Sequence, residues 1–148
     1  MTLATSQASD EDQIREIIEK RVKAVRTRDI DAAMAGHAPN VLMFDLIDPL
    51  RYAGSDTVRE RTEAWYASYQ GPIGYEVLDV HITSGADVAF CHYLYRVSGT
   101  RTDGADIEMW VRSTVCFQKV DGAWIVTHEH GSVPFDPETG LASLDLQP

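Results

Sequence analysis

Long apolar runs are missing from this chain. No stretch approaches the roughly 20 residues that a membrane-spanning helix needs, so no membrane partner is expected. Cysteine is scarce: Cys91 and Cys116 are too few and too far apart for a zinc site and read as reduced thiols. Basic residues are outnumbered, 13 Lys and Arg against 23 Asp and Glu, for a formal charge of −10. Phosphate binding rests on clustered Lys and Arg. The densest basic group here (Lys20, Arg21, Lys23, Arg26, Arg28) lies among glutamates on one helical segment, the pattern of a solvated face. Nucleic acid is therefore not an expected partner. The first residues, MTLATSQASDED, hold neither a basic patch nor an apolar stretch, so no signal peptide is read and a cytoplasmic protein is expected.

What is present fits one globular domain. A chain of 148 residues buries roughly 70% of its extended-state surface, enough for a core without staples. Residues 1–8 read as a disordered tail and 9–148 as a single domain. Ser9 with Asp12 resembles a capping box, and Ile14, Ile17, Ile18, Val22 and Val25 then mark one apolar stripe on a helix of about five turns. Asp29 caps a short second helix, Ile30 to His37, stopped by Gly36 and Pro39. Val41 to Asp45 reads as a strand, with a brief second one near Arg51 to Ala53. Ser55 and Asp56 open a third helix whose face carries Val58, Thr62, Trp65, Tyr66 and Tyr69.

Beyond Pro72 the period changes to two. Ile73 to Ile82, Val88 to Val97, Ala105 to Val120 and Ala123 to His130 are four β segments with short connections, hence an antiparallel meander. The third exceeds the usual five or six residues, so it is expected to bend or bulge. The predicted class is α+β: a strongly curved antiparallel sheet with three N-terminal helices on its concave face. Three amphipathic helices do not fill such a concavity, and the remainder is a pocket for an apolar small molecule. No cofactor is expected.

The pieces Arg28-Asp29-Ile30-Asp31-Ala32-Ala33-Met34, Val41-Leu42-Met43-Phe44-Asp45, Gly54-Ser55-Asp56 and Asp121-Gly122-Ala123-Trp124-Ile125-Val126-Thr127-His128-Glu129-His130-Gly131-Ser132 carry a resemblance. The chain resembles the nuclear transport factor two-like superfamily, in its SnoaL-like and ketosteroid-isomerase-like branch. The last of these segments is also similar to the final hairpin of the kinase association (hub) domain. The resemblance implies a cone-shaped sheet and a homodimer. It does not imply one chemistry, since members include isomerases, dehydratases, cyclases and non-catalytic assembly domains.

Asp45 is the leading catalytic candidate. It ends an apolar strand before an irregular loop, where burial would raise its pKa and make it a general base. The resemblance places the proton-shuttling Asp of the isomerases close to this position. The plain alternative is a turn-capping Asp, and Asp48 offers a rival register. The isomerase oxyanion hole needs a Tyr on the first helix and a protonated Asp on a long strand. Their counterparts here fall on Arg21 and among Ser113, Thr114 and Val115, so a standard ketosteroid isomerase is not expected.

Hairpin register decides the rest. A two-residue Asp121-Gly122 turn puts His128 and His130 on the Ser113 face, whereas a three-residue turn with a bulge puts Glu129 there. The bulged version is preferred, with Glu129 inside. His92 lies beside Ser113 if the preceding hairpin centres near residues 102 and 103, giving a row of His92, Ser113 and Glu129 or His130 facing Asp45. The same pairing sets Cys91 near Cys116 on the opposite face, with free thiols as the default. Phe44, Trp65 and Tyr66 are candidate cavity walls, although an aromatic stripe at helical spacing also describes plain core.

The expected catalytic set is thus Asp45, His92 and Glu129, with Phe44, Trp65, Tyr66, Ser113 and His130 as ligand-binding residues and no metal site. The expected function is a cofactor-independent lyase or isomerase acting on an apolar carbonyl or hydroxyl compound. A ligand-binding or assembly domain without turnover is the alternative. A metal enzyme using His128 and His130 is the third reading, weakened by the lack of a clear third ligand.

Overall fold

The computed structural model describes residues 2–148, with side chains described from Asp10 onward. The opening helix starts at Thr2, so it takes in residues 2–8, expected as a tail, and Ser9, expected as its cap; only residue 1 lies outside the described backbone. Helix α1 (Thr2–Thr27) buries Ile14, Ile18, Ala24 and Val25 along one face. The predicted apolar stripe is what packs, because residues three and four apart share a helix face. Asp10 anchors the helix to the sheet: its carboxylate accepts from Lys119 Nζ at 2.8 Å and from Trp124 Nε1 at 3.2 Å.

Arg28 closes the turn after α1 by donating to the carbonyls of Tyr66 at 2.8 Å, Tyr69 at 2.9 Å and Gly71. Helix α2 (Ile30–Met34) is capped as expected, the Asp29 side chain accepting from the Ala32 N–H. It ends three residues earlier than predicted. Gly36 turns the chain at positive φ, and His37 already belongs to strand β1 (His37–Phe44). Strand β2 (Tyr52–Ala53) and helix α3 (Ser55–Ala67) follow.

Strands β3 (Tyr69–Ser84), β4 (Val88–Arg101), β5 (Asp106–Val120) and β6 (Ala123–Ser132) form the meander. The curved, open sheet has the order β2-β1-β6-β5-β4-β3, and all its pairs are antiparallel except β1 with β6. Alternate residues Ala89, Cys91, Tyr93 and Val97 of β4, and Val111, Ser113, Val115 and Phe117 of β5, are buried on the concave face. Ala89, Cys91, Tyr93, Val115 and Phe117 make one continuous core with Ile14, Ile18, Val41 and Val58, while Val97 packs in a second cluster with Val25, Tyr66, Tyr69, Ile73 and Tyr75.

The long strand β5 pairs with β4 without a break, from Val88↔Gln118 to Thr100↔Asp106. The expected irregularity lies in its neighbours instead. In β3 the register shifts between Leu78 and His81, where Asp79 has φ 57°. In β6 Thr127 is the extra residue between Phe117↔Val126 and Cys116↔His128. Each inserted residue bends its strand and increases the local twist, which curves the sheet. Gly99 permits a close approach as well: a Cβ there would lie 3.0 Å from the Tyr69 ring and 3.1 Å from the Pro72 carbonyl.

The β4–β5 register places His92 opposite Thr114 and Phe90 opposite Cys116. Cys91 therefore lies in the core and Cys116 on the other face, so the two thiols do not share a face as expected.

Candidate functional site

Helix α1 carries a polar residue inside its apolar stripe. Arg21 stands three positions after Ile18 and four before Val25, so its side chain enters the space between helices and sheet. Opposite it stands Glu129. The Asp121-Gly122 turn has two residues, both at positive φ, and pairs Val120 with Ala123. Unmodified, that register would bring His128 and His130 inward. The bulge at Thr127 reverses the alternation, and Glu129 pairs with Val115 on the concave face. The expected inward glutamate is found, produced by a bulge within the strand and not by a longer turn.

Arg21 Nη2 donates to Glu129 Oε1 at 2.9 Å, and Arg21 Nη1 lies 3.5 Å from the Tyr93 hydroxyl. The same Oε1 is 2.6 Å from Nε2 of His37, whose side chain is 5% exposed. His37 Nδ1 is 3.2 Å from the Met34 carbonyl oxygen. Burial pushes the Glu129 carboxyl up, but the Arg21 guanidinium and then His37 outweigh it and hold the group down at about 2. Glu129 Oε2 accepts no hydrogen bond among the described residues.

Asp45 follows directly on β1 and lines the same space. Its Oδ2 accepts from Arg61 Nε at 2.8 Å, and its Oδ1 from the Leu46 N–H at 2.7 Å. The side chain is 18% exposed and that of Arg61 17%. Asp45 therefore faces the pocket as expected, and it does so as a carboxylate paired with Arg61, a partner that the sequence reading did not include. Asp48 is exposed.

These two arginine–carboxylate pairs border a half-enclosed cavity of about 150 Å³. Met34, Met43, Val58, Trp65 and Val97 are among its apolar walls, and Tyr66, Tyr75, Tyr95 and Ser113 also line it. Burial pushes the Tyr66 phenol up to about 12 and raises Tyr75 and Tyr95 as well, so all three are neutral near pH 7. The Tyr66 hydroxyl is buried without a hydrogen-bond partner.

Asp45, Glu129, Trp65, Tyr66 and Ser113 thus meet at one cavity. Phe44 borders it, but its ring stands edge-on to His128 at 4.9 Å and to His130 at 5.4 Å. Two expectations fail. His92 and His130 are exposed on the outer face, where His92 stacks on His81 at 5.1 Å. The β4–β5 register explains the first, by bringing Tyr93 and not His92 beside Ser113; the Thr127 bulge explains the second. His128 is held by a 2.7 Å contact from Nδ1 to the Leu42 carbonyl. Among the described residues no three of His, Cys, Asp and Glu converge in a metal-binding arrangement.

Sequence reasoning missed the site roles of Arg21, His37 and Arg61. A signal for Arg21 was legible: a charge at a position that the helical period assigns to the core. His37 and Arg61 carried none, since His37 is an ordinary polar residue opening its strand and Arg61 one of several charges along its helix.

A curved, open sheet with helices on its concave face, and a cavity between them bordered by paired charges, defines an α+β protein of the cone type. The SnoaL-like domain family matches residues 14–136, and the chain belongs to it. It is similar to an NTF2-like protein of unknown function from Pseudomonas putida KT2440, with 33% identity over 95% of this chain and 98% of that one, at a TM-score of 0.88. It also shares its fold with a ketosteroid isomerase-like protein from Erwinia carotovora atroseptica (19% identity, 82% and 93% covered, TM-score 0.70). A nuclear transport factor 2-like superfamily protein from Salmonella enterica is a further structural neighbour (15% identity, 90% and 95% covered, TM-score 0.74). No curated protein matches the chain. None of its described helices is long and apolar enough to cross a membrane.

Proposed function

We propose that this protein is a cofactor-independent lyase or isomerase that moves a proton on a small apolar carbonyl or hydroxyl compound. The observation that carries this reading is the buried Arg21–Glu129–His37 group set against Asp45 across one apolar cavity. Asp45 is the base. It takes a proton from the carbon beside the carbonyl, and the electron pair of that C–H bond moves onto the carbonyl oxygen. Arg21 occupies the place of the missing phenol and offers its remaining N–H groups to the developing oxyanion. Glu129, ionised and a weak base at about 2, holds Arg21 and His37 in position rather than accepting the proton. Return of the proton to another carbon gives an isomer. Departure of a β-hydroxyl with a proton, as water, gives a dehydrated product.

The test is exchange of the α-hydrogens of cyclohexanone for deuterium in heavy water, followed by NMR. Wild-type protein accelerates the exchange, and Asp45→Asn lowers the rate by roughly 10²- to 10⁴-fold. Full activity in Asp45→Asn removes Asp45 from the mechanism. One observation favours a second reading, a binding module without turnover: Arg61 already partners Asp45. A protein that binds cyclohexanone without speeding its exchange is such a module.

The reading includes a homodimer. Leu78 and Phe90 on the outer sheet face are 39% and 44% exposed, and a second copy would cover them.

A further inference from the structure

Arg61 is the charge of the cavity wall with most donors to spare. Its Nε donates to Asp45 Oδ2 at 2.8 Å, and the guanidinium has no other hydrogen-bond or ion-pair partner among the described residues. Nη1 and Nη2, the far end of the fork, are left free. Other arginines do not leave that end unused. Arg59, more exposed and two positions earlier, donates through Nε to Glu63 and through Nη2 to Asp31. Arg96 bridges Glu76 and Glu108, and Arg21 is held by Glu129. The free end of Arg61 is also not sealed in protein. The buried polar side-chain atoms without a partner among the described residues are Tyr66 Oη and Ser84 Oγ, so both Arg61 Nη atoms keep accessible surface.

What fits such an end is planar and anionic. Two Nη–H groups present parallel donors that match the two oxygens of a carboxylate, and a charge-assisted bond is about twice as strong as a neutral one. The same helix lines the cavity with Val58 and Trp65, and Met34 and Met43 face them, so an apolar body has its own place beside the guanidinium. The chain's charge of −10 opposes an anion at long range. Exposed charges beyond about 8 Å are largely screened at physiological ionic strength, whereas a bidentate contact is not.

We infer that the ligand is an organic acid, a keto or hydroxy acid with an apolar body, whose carboxylate is held by Nη1 and Nη2 of Arg61. The inference rests on the small-molecule reading above and narrows its substrate class, but it does not need turnover. Arg61 keeps its Nε bond to Asp45 while the ligand takes the other end, so the acid group is anchored one guanidinium away from the base. That makes Arg61 a specificity-determining residue.

The experiment is an NMR titration at pH 7 with benzoate and with benzyl alcohol, a neutral probe of similar size. Wild type binds benzoate about tenfold more tightly, the worth of a charge-assisted hydrogen bond. Asp45→Asn, which removes the counterion of Arg61, binds benzoate more tightly still. Arg61→Met combined with Asp45→Asn leaves no unpaired charge at this position, and it loses the preference for benzoate; a thermal melt confirms that each variant is folded. An equal affinity of wild type for the two probes overturns the inference, as does failure of both to bind. A preference undiminished in the double variant, or benzoate binding weakened in Asp45→Asn, overturns it too and takes the carboxylate away from Arg61. Because the readout is binding, a failed deuterium exchange leaves this result standing, and the converse also holds.

Discussion

Nε2 of His37 lies 2.6 Å from Oε1 of Glu129, although 92 positions separate the two residues in the chain. Arg21 reaches the same oxygen at 2.9 Å. One carboxylate oxygen therefore ties the first helix, the first strand and the last strand together at the edge of the cavity.

Breaking that junction is costly. Glu129→Gln leaves the Arg21 charge buried without its counterion, and the side chains of the pair are only 17% and 16% exposed. The expected loss of stability is about 3 kcal/mol. Arg21→Met combined with Glu129→Gln loses less than the sum of the two single changes, because no uncompensated charge is left. Urea unfolding of the four proteins measures this coupling.

Acid weakens the same junction, with a definite sign. The folded protein holds Glu129 at about 2, below its ordinary 4.5, so the unfolded chain takes up this proton first. The stabilisation is fully present above about 4.5 and is lost as the pH falls toward about 2. Asp10, also held low by Lys119, adds a contribution of the same sign. Unfolding midpoints between pH 7 and pH 2.5 are expected to fall less steeply in Glu129→Gln than in wild type.

Asp10→Ala loosens α1 without touching the cavity. It removes the acceptor of Lys119 and Trp124, at a cost of about 1–3 kcal/mol. Hydrogen exchange is the discriminating measurement: protection falls in the amides of α1 near residue 14 and changes little in the centre of β4. Uniform loss across both elements contradicts a local tether.

Gly99→Ala tests the bend in the sheet. The new Cβ meets the Tyr69 ring and the Pro72 carbonyl at 3.0–3.1 Å, at a backbone φ of +155°. A destabilisation of about 1–3 kcal/mol is expected from the strained backbone and the overpacking. A thermal melt equal to wild type would show that β3 can move away from β4 at no cost.

Phe90→Glu addresses the homodimer. Phe90 is exposed on the outer face, so the charge does not disturb the folded subunit. Light scattering at micromolar concentration is expected to give a dimer for wild type and a monomer for the variant. A wild-type monomer removes the dimer from the reading.

Much of the architecture was legible because periodicity is a local property. Ile14, Ile18 and Val25 announce one helix face, the alternation through Ala89, Cys91 and Tyr93 announces a strand, and Asp121-Gly122 announces a tight hairpin. Each signal needs only neighbours within a few positions. The inward direction of Glu129 could not be settled that way. It depends on one extra residue at Thr127, and a single-residue slip reverses every side chain beyond it. His92 was misplaced for the related reason that a hairpin centre shifted by half a residue changes its partner from Ser113 to Thr114.

The sequence by itself determined the helices, the meander and the presence of Asp45, Trp65 and Tyr66 at a shared hollow, since burial patterns are written in the order of apolar residues. Only the tertiary structure decided that Asp45 is met by Arg61 and that Arg21, His37 and Glu129 converge. Those meetings arise from strand register and helix placement between residues far apart in the chain, and no local pattern encodes them.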